Sequence, residues 1–241
     1  LRSGAMSWLM ERYGINTMLL EGGYKSYRRL VRKYFSNTFN LHIVGGMTGT
    51  GKTEILKELK RKGHQVIDLE GIAHHKGSAF GSLGEIEQPT TEQFENDLLF
   101  KFLQHNPNKV IWLENESQSI GRVFIPPELF IQMKRSRLYN IEIPFDKRIE
   151  RLVHDYSHYA DKDLLECIQK ISKKIGGQHL NEAVEALDRK DYIKFAGIAL
   201  RYYDKTYQFG ISNRYSNEII NIKSDTDDAS KNAGFIEKNL E

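Results

Sequence analysis

The run Gly46-Met-Thr-Gly-Thr-Gly51-Lys52-Thr53 fits G-x-x-x-x-G-K-[ST], a spacing that suits phosphate binding. Glycines let successive backbone N–H groups close around phosphate oxygens, and a helix starting at Lys52 adds the positive end of its dipole. Gly46, Gly49, Thr50, Gly51, Lys52 and Thr53 are the expected phosphate-binding residues. Lys52 would reach the terminal oxygens, and Thr53 would hold Mg²⁺. The bland alternative is a glycine-rich turn between a strand and a helix. A second group is Val110-Ile-Trp-Leu-Glu114, an apolar run ending in an acid, followed by Asn115, Glu116 and Ser117. A carboxylate at such a strand end can accept from a Mg²⁺-bound water. A third group follows Ile67. It holds Asp68, Glu70, His74, His75, Lys76 and Ser78 among three glycines, a composition suited to a magnesium, phosphate or substrate loop. Adjacent histidines are more often hydrogen-bonded or solvated than metal-bound. Lys52, Asp68, Glu114 and Glu116 are the catalytic candidates, and Glu70, His74, His75, Lys76 and Ser78 the substrate loop.

These groups must be held by strands and helices. Short continuous apolar runs predict strands at Leu41–Gly45, Gln65–Asp68, Lys109–Glu114, Leu138–Ile143 and Glu218–Ile222, as in parallel sheets covered on both faces. Helices at 52–62 and 91–105 fit the crossovers, the second capped by Thr90 or Thr91. The expected fold is α/β: a P-loop NTPase-like parallel sheet flanked by helices, over residues 39–241. An insertion at about 146–209 reads as helical. Ile149, Leu152, Val153 and Tyr156 recur at 3–4 spacing, as do Leu164, Leu165, Ile168 and Ile171. Gly176-Gly177 separates these from helices at Leu180–Leu187 and Tyr192–Tyr203. Residues 224–241 predict a short terminal helix. Residues 1–38 are expected to form a separate piece: a helix at Gly4–Tyr13, a strand at Thr17–Leu20 and a basic helix at Tyr24–Tyr34. Some 35 residues with one strand cannot bury an independent core.

The 241 residues are 39% hydrophobic and 28% charged, ordinary for a globular chain. No apolar run approaches the roughly 18 residues that span a bilayer. Leu1-Arg2-Ser3-Gly4 lacks the pattern of a signal peptide, and the single Cys167 excludes an intrachain disulfide and a cysteine metal cluster. A cytoplasmic location is expected. The net charge of +3 does not by itself argue for nucleic acid. Local clusters do more: Arg28, Arg29, Arg32 and Lys33; Lys57, Lys60, Arg61 and Lys62; Lys134, Arg135 and Arg137. Arg201-Tyr202-Tyr203-Asp204, with Tyr207 beyond, could stack on unpaired bases or pack the core of the insertion.

Asp68-Leu-Glu-Gly-Ile-Ala-His-His-Lys-Gly-Ser-Ala-Phe-Gly81 resembles the D-L-E-G-L-A-x-H-R-G-S-x-F-G signature of bacterial tRNA 2-selenouridine synthases. Glu114-Asn-Glu-Ser-Gln-Ser-Ile-Gly121 resembles that family's E-x-E-S-R-x-I-G block, and Tyr202-Tyr-Asp-Lys-Thr-Tyr207 its Y-Y-D-x-x-Y block. Residues 1–38 resemble the end of the rhodanese domain that precedes the P-loop domain there. The family's C-x-x-G-x-R-S cysteine would fall before Leu1, and Cys167 matches no motif cysteine. Gln118 stands where the family block commonly has arginine. The resemblance implies a transferase acting on the wobble 2-thiouridine of tRNA. A geranyl group passes from geranyl diphosphate to sulfur, and selenium from selenophosphate then replaces the S-geranyl group. Mg²⁺ would assist at Thr53, and Arg201, Tyr202 and Tyr203 would meet the tRNA. The residue pattern equally suits an ATP-binding small-molecule or nucleoside kinase, and a non-catalytic RNA-binding module is the third reading. Oligomeric state stays open.

Overall fold

The computed structural model describes residues 2–215 and 218–240; Leu1 and Glu241, the outer ends of the two expected domains, lie outside the described residues, as do Ser216 and Asn217. The chain divides into two compact units, Leu1–Thr38 and Phe39–Glu241.

The first unit contains helices α1 (Arg2–Arg12) and α2 (Gly23–Tyr34). The strand expected at Thr17–Leu20 does not form. A strand needs a partner for its N–H and C=O groups, and here the Thr17 hydroxyl instead turns back to donate to Glu11 Oε1 at 3.0 Å. Met18 is 99% exposed and Trp8 58%.

The second unit begins with β1 (Leu41–Gly46), α3 (Lys52–Arg61), β2 (Gln65–Val66), α4 (Leu69–Ala73), α5 (Thr91–Leu103) and β3 (Ile111–Glu114). A small hairpin follows, β4 (Ser119–Ile120) with β5 (Val123–Phe124), then α6 (Pro127–Arg135) and β6 (Arg137–Glu142). The insertion supplies α7 (Phe145–Tyr156), α8 (Asp161–Lys170), α9 (Ser172–Ile175), α10 (Gly177–Asp188) and α11 (Tyr192–Ser212). The chain closes with β7 (Ile219–Lys223) and α12 (Ala229–Glu237). Five of these strands form one parallel sheet in the order β2-β3-β1-β6-β7. This is the expected α/β architecture. Val44, Trp112, Tyr139 and Ile141 from the strands pack with Ile55, Leu56 and Leu59 of α3 and Ile236 of α12. The insertion has its own core around Leu164, Ile168, Ala183, Leu187 and Phe195.

One boundary differs for a clear reason. β2 stops at Val66, not Asp68, because the Asp68 carboxylate accepts from Gly71 N at 2.7 Å and caps α4. The β4–β5 hairpin and α6 went unforeseen, although Pro127 at the start of α6 is a readable helix signal. Thr90 is the cap of α5, accepting from Gln93 N at 3.2 Å. Among the described residues no helix is long and apolar enough to cross a membrane.

Candidate active site

β1 sits at the middle of the sheet, so the loop leaving its C-terminal end lies where ligands bind in such sheets. Gly46 has φ 155° and lies against Thr50. A Cβ there would fall 2.4 Å from Thr50 Oγ1 and 3.0 Å from Ile141 O. No side chain caps α3, which leaves its first N–H groups for a ligand. Lys52 Nζ folds back and donates to Gly46 O at 3.3 Å. The loop thus has an open helix end with one lysine over it.

Three residues of α11, Tyr203, Asp204 and Tyr207, grip this loop and its neighbour. Gly46 N donates to Tyr207 Oη at 2.6 Å, and that hydroxyl donates to Asn140 Oδ1 at 2.7 Å. Arg148 Nη1 donates to Thr48 O at 3.1 Å, while its guanidinium makes paired bonds to Asp204 at 2.7 and 2.8 Å. Ala79 N donates to Tyr203 Oη at 2.9 Å. Tyr203 and Tyr207 are four residues apart and share a helix face. Burial pushes the Tyr203 phenol up to about 12. The structure therefore places Tyr203 as a brace for the substrate loop rather than as a free stacking platform. Tyr202 lies 5.0 Å from it, ring to ring, on the insertion core. Of the three residues expected to meet tRNA, Arg201 is the exposed one. In the third basic cluster, Lys134 donates to Gly210 O at 2.9 Å and Arg137 to Glu218 at 3.1 Å, so both are tied into the fold.

The acids converge beside Thr53. The register of β1 and β3 sets Val44 opposite Glu114. Glu114 is 1% exposed; its Oε1 accepts from Glu70 N at 2.7 Å, and its Oε2 is buried without a partner. Burial, with Asp68, Glu70 and Glu116 nearby, drives its carboxyl well above the usual range. Glu70 accepts from Thr53 Oγ1 at 2.9 Å, and burial raises its carboxyl too, against the pull of Lys52. Glu116 is pushed up to about 8 by burial and by Glu70. Gly77 covers the pair: a Cβ there would meet Glu116 Oε2 at 2.6 Å and Glu70 Oε1 at 3.2 Å. The acid touching Thr53 is thus Glu70, read from sequence as a loop residue, while Asp68 spends its carboxylate on a helix cap.

The rest of the substrate loop is divided. The His74 ring meets Glu87 O at 3.0 Å, and Lys76 pairs with Glu85 at 3.4 Å. His75 is buried, its Nδ1 unpartnered, its pKa lowered by burial and by Lys170. Ser78 accepts from Phe80 N at 3.1 Å and, with Phe80, lines a cavity that reaches Thr48 of the phosphate loop. The other walls are apolar, among them Leu152, Tyr156, Leu164 and Phe195. Gln88 was missed by sequence reading as a site support. It donates to Ala73 O and Ile120 O, both at 3.0 Å, and ties α4 to the hairpin. Nothing in the sequence signals these contacts.

Among the described residues no three His, Cys, Asp or Glu side chains form a metal cage. Mg²⁺ does not need one, since it binds through one or two carboxylates plus phosphate and water. Thr53, Glu70 and the orphaned Glu114 oxygen fit such an ion. A carboxyl raised to about 8 is neutral below that pH, so a cation binding near Glu116 competes with its proton. Mg²⁺ affinity, measured with inorganic diphosphate present, is expected to rise by up to about tenfold per pH unit below 8, with proton release in calorimetry. Glu116→Gln should lessen that slope, with Glu70 and Glu114, also raised by burial, keeping a share of it. A flat wild-type profile without proton release would contradict the arrangement.

A family model described as the tRNA 2-selenouridine synthase AAA domain matches residues 39–233. The chain belongs to this family. It is 31% identical to the tRNA 2-selenouridine synthase of Shewanella sediminis (strain HAW-EB3), over 91% of this chain and 67% of that one. With the Shewanella piezotolerans synthase (strain WP3 / JCM 13877) it shares 33% identity over 86% and 64%. With that of Nitrosomonas europaea it shares 28% over 87% and 67%. The chain spans about two thirds of the length of these relatives. Among solved structures, the full-length tRNA isopentenylpyrophosphate transferase from Bacillus halodurans aligns with a TM-score of 0.41 at 12% identity, covering 84% of this chain and 97% of that one. The family match spans the phosphate loop, the acids and the Tyr203–Tyr207 face of α11, so the clamped site described above lies within the tRNA 2-selenouridine synthase AAA domain.

Proposed function

We propose that this chain transfers a geranyl group from geranyl diphosphate to the sulfur of wobble 2-thiouridine in tRNA. It would thereby serve a synthase that then exchanges S-geranyl for selenium from selenophosphate. One observation carries the reading: an apolar cavity abuts the phosphate loop at Thr48 and the substrate loop at Ser78. A diphosphate at Gly46–Thr53 would leave its hydrocarbon tail facing Phe80, Leu152, Tyr156 and Phe195.

In this reaction the C–O bond to diphosphate breaks, the C–S bond forms, and the uridine N3 proton is lost. Thiouridine sulfur is already a good nucleophile, so the chain's main task is to absorb charge on the departing diphosphate. The uncapped α3 N–H groups would face it, and Lys52, now on Gly46 O, would turn to it. Mg²⁺ held by Thr53 and Glu70 would neutralise further charge. Residues 1–38, as the end of a rhodanese-like domain, would belong to the chalcogen step. Cys167 does not suit that step, since it is buried in the insertion core and burial pushes its thiol up.

The test incubates the chain with 2-thiolated tRNA and geranyl diphosphate, and in parallel with ATP and nucleosides. Geranylated tRNA by mass spectrometry is expected, without ATP-dependent phosphorylation. Phosphorylated nucleoside without geranylated tRNA would favour the kinase instead.

A further inference from the structure

We propose that the face of α11 sets the length of the hydrocarbon chain accepted, with Ala199 and Ala196 leaving room for two isoprene units and Tyr192 stopping a third. The inference rests on the prenyl-diphosphate reading above. The cavity residues from α11 are Tyr192, Phe195, Ala196, Ala199 and Tyr203, one stripe at 3–4 spacing. The stripe has a fixed polar end. Arg148 joins Thr48 O to Asp204, next to Tyr203, so the phosphate loop marks the start of the cavity. At a rise of 1.5 Å per residue, Ala199 lies about 6 Å along the axis from Tyr203, Ala196 about 10 Å and Tyr192 about 16 Å. An isoprene unit is about as long as one helical turn, roughly 5.4 Å. Two units therefore pass the two alanines, and a third meets the tyrosine.

The far end is held in place. Tyr192 Oη donates to Asp161 at 3.0 Å, and Leu164, one turn along α8, is fully buried beside it in the cavity wall. The near wall is the one that can give. Phe80 stands edge-on to both Tyr156 and Phe195, with ring centroids 6.0 Å apart, and its loop is flanked by Gly77 and Gly81. The cavity holds about 50 Å³, room for a few waters, so an entering chain must push part of the lining aside, and the loop that carries Phe80 is the part between glycines. The small residues on the rigid helix would then set the depth.

The experiment measures affinities of inorganic, dimethylallyl, geranyl and farnesyl diphosphate for the full chain, its Tyr192→Ala variant and its Ala196→Phe variant. The wild type is expected to bind geranyl diphosphate about tenfold or more tighter than the shorter and longer compounds, the usual worth of a hydrocarbon mismatch in a shaped pocket. Tyr192→Ala should raise farnesyl diphosphate affinity about tenfold. Ala196→Phe should drop geranyl diphosphate to the dimethylallyl level, with inorganic diphosphate binding retained as the sign of a folded site. If prenyl diphosphates bind tighter than inorganic diphosphate but neither variant shifts the length preference, the ruler is wrong and the prenyl reading stands. If hydrocarbon adds nothing to diphosphate binding, the prenyl reading itself falls.

Discussion

Replacing Lys52 by alanine is expected to lower geranyl transfer by about 10²–10³-fold, or roughly 2.7–4 kcal/mol of transition-state stabilisation. Lys52 is the cation over the phosphate loop, and it draws down the carboxyls of Glu70 and Glu116. Its loss removes a charge partner for the leaving diphosphate and lets both carboxyls rise further. The pH optimum should therefore move upward along with the fall in turnover. The fold should survive, since the Lys52 side chain donates to Gly46 O and anchors no core element. Steady-state rates across pH, with thermal unfolding alongside, check this. Full activity in Lys52→Ala would mean that the diphosphate is handled elsewhere.

Asp204→Ala should cost stability and binding together. Arg148 is 4% exposed, and removing its paired carboxylate leaves a buried charge uncompensated, which costs about 3–5 kcal/mol. Urea unfolding would report this loss. Joint replacement, Arg148→Met with Asp204→Leu, should recover much of the stability because no charge is left unpaired. It should not recover diphosphate affinity, because Thr48 O is then no longer held. If the double variant binds diphosphate as the wild type does, the clamp has no part in shaping the loop.

The parallel sheet, the phosphate-loop spacing and the helical insertion were legible in the chain before it folded. Those rest on local signals. Glycines at fixed offsets, short apolar runs and a 3.6-residue period act within a few residues of one another. The family blocks were legible for the same reason, as contiguous strings. Which partner each side chain meets depends instead on long-range packing. Asp68 and Glu70 lie two residues apart and look alike as acids. Yet the turn into α4 hands Asp68 to Gly71 N as a cap and points Glu70 at Thr53. Tyr202 and Tyr203 are neighbours too. Both pack on the insertion core, yet it is the Tyr203 hydroxyl that the rotation of α11 brings to the backbone N–H of Ala79. The strand expected at Thr17–Leu20 failed because strands are paired or not by distant residues, which no local pattern reports. The cavity beside the phosphate loop is assembled from the loop itself, the Ser78–Phe80 segment, α7, α8 and α11, so its apolar character exists only once long-range packing has brought those five pieces together.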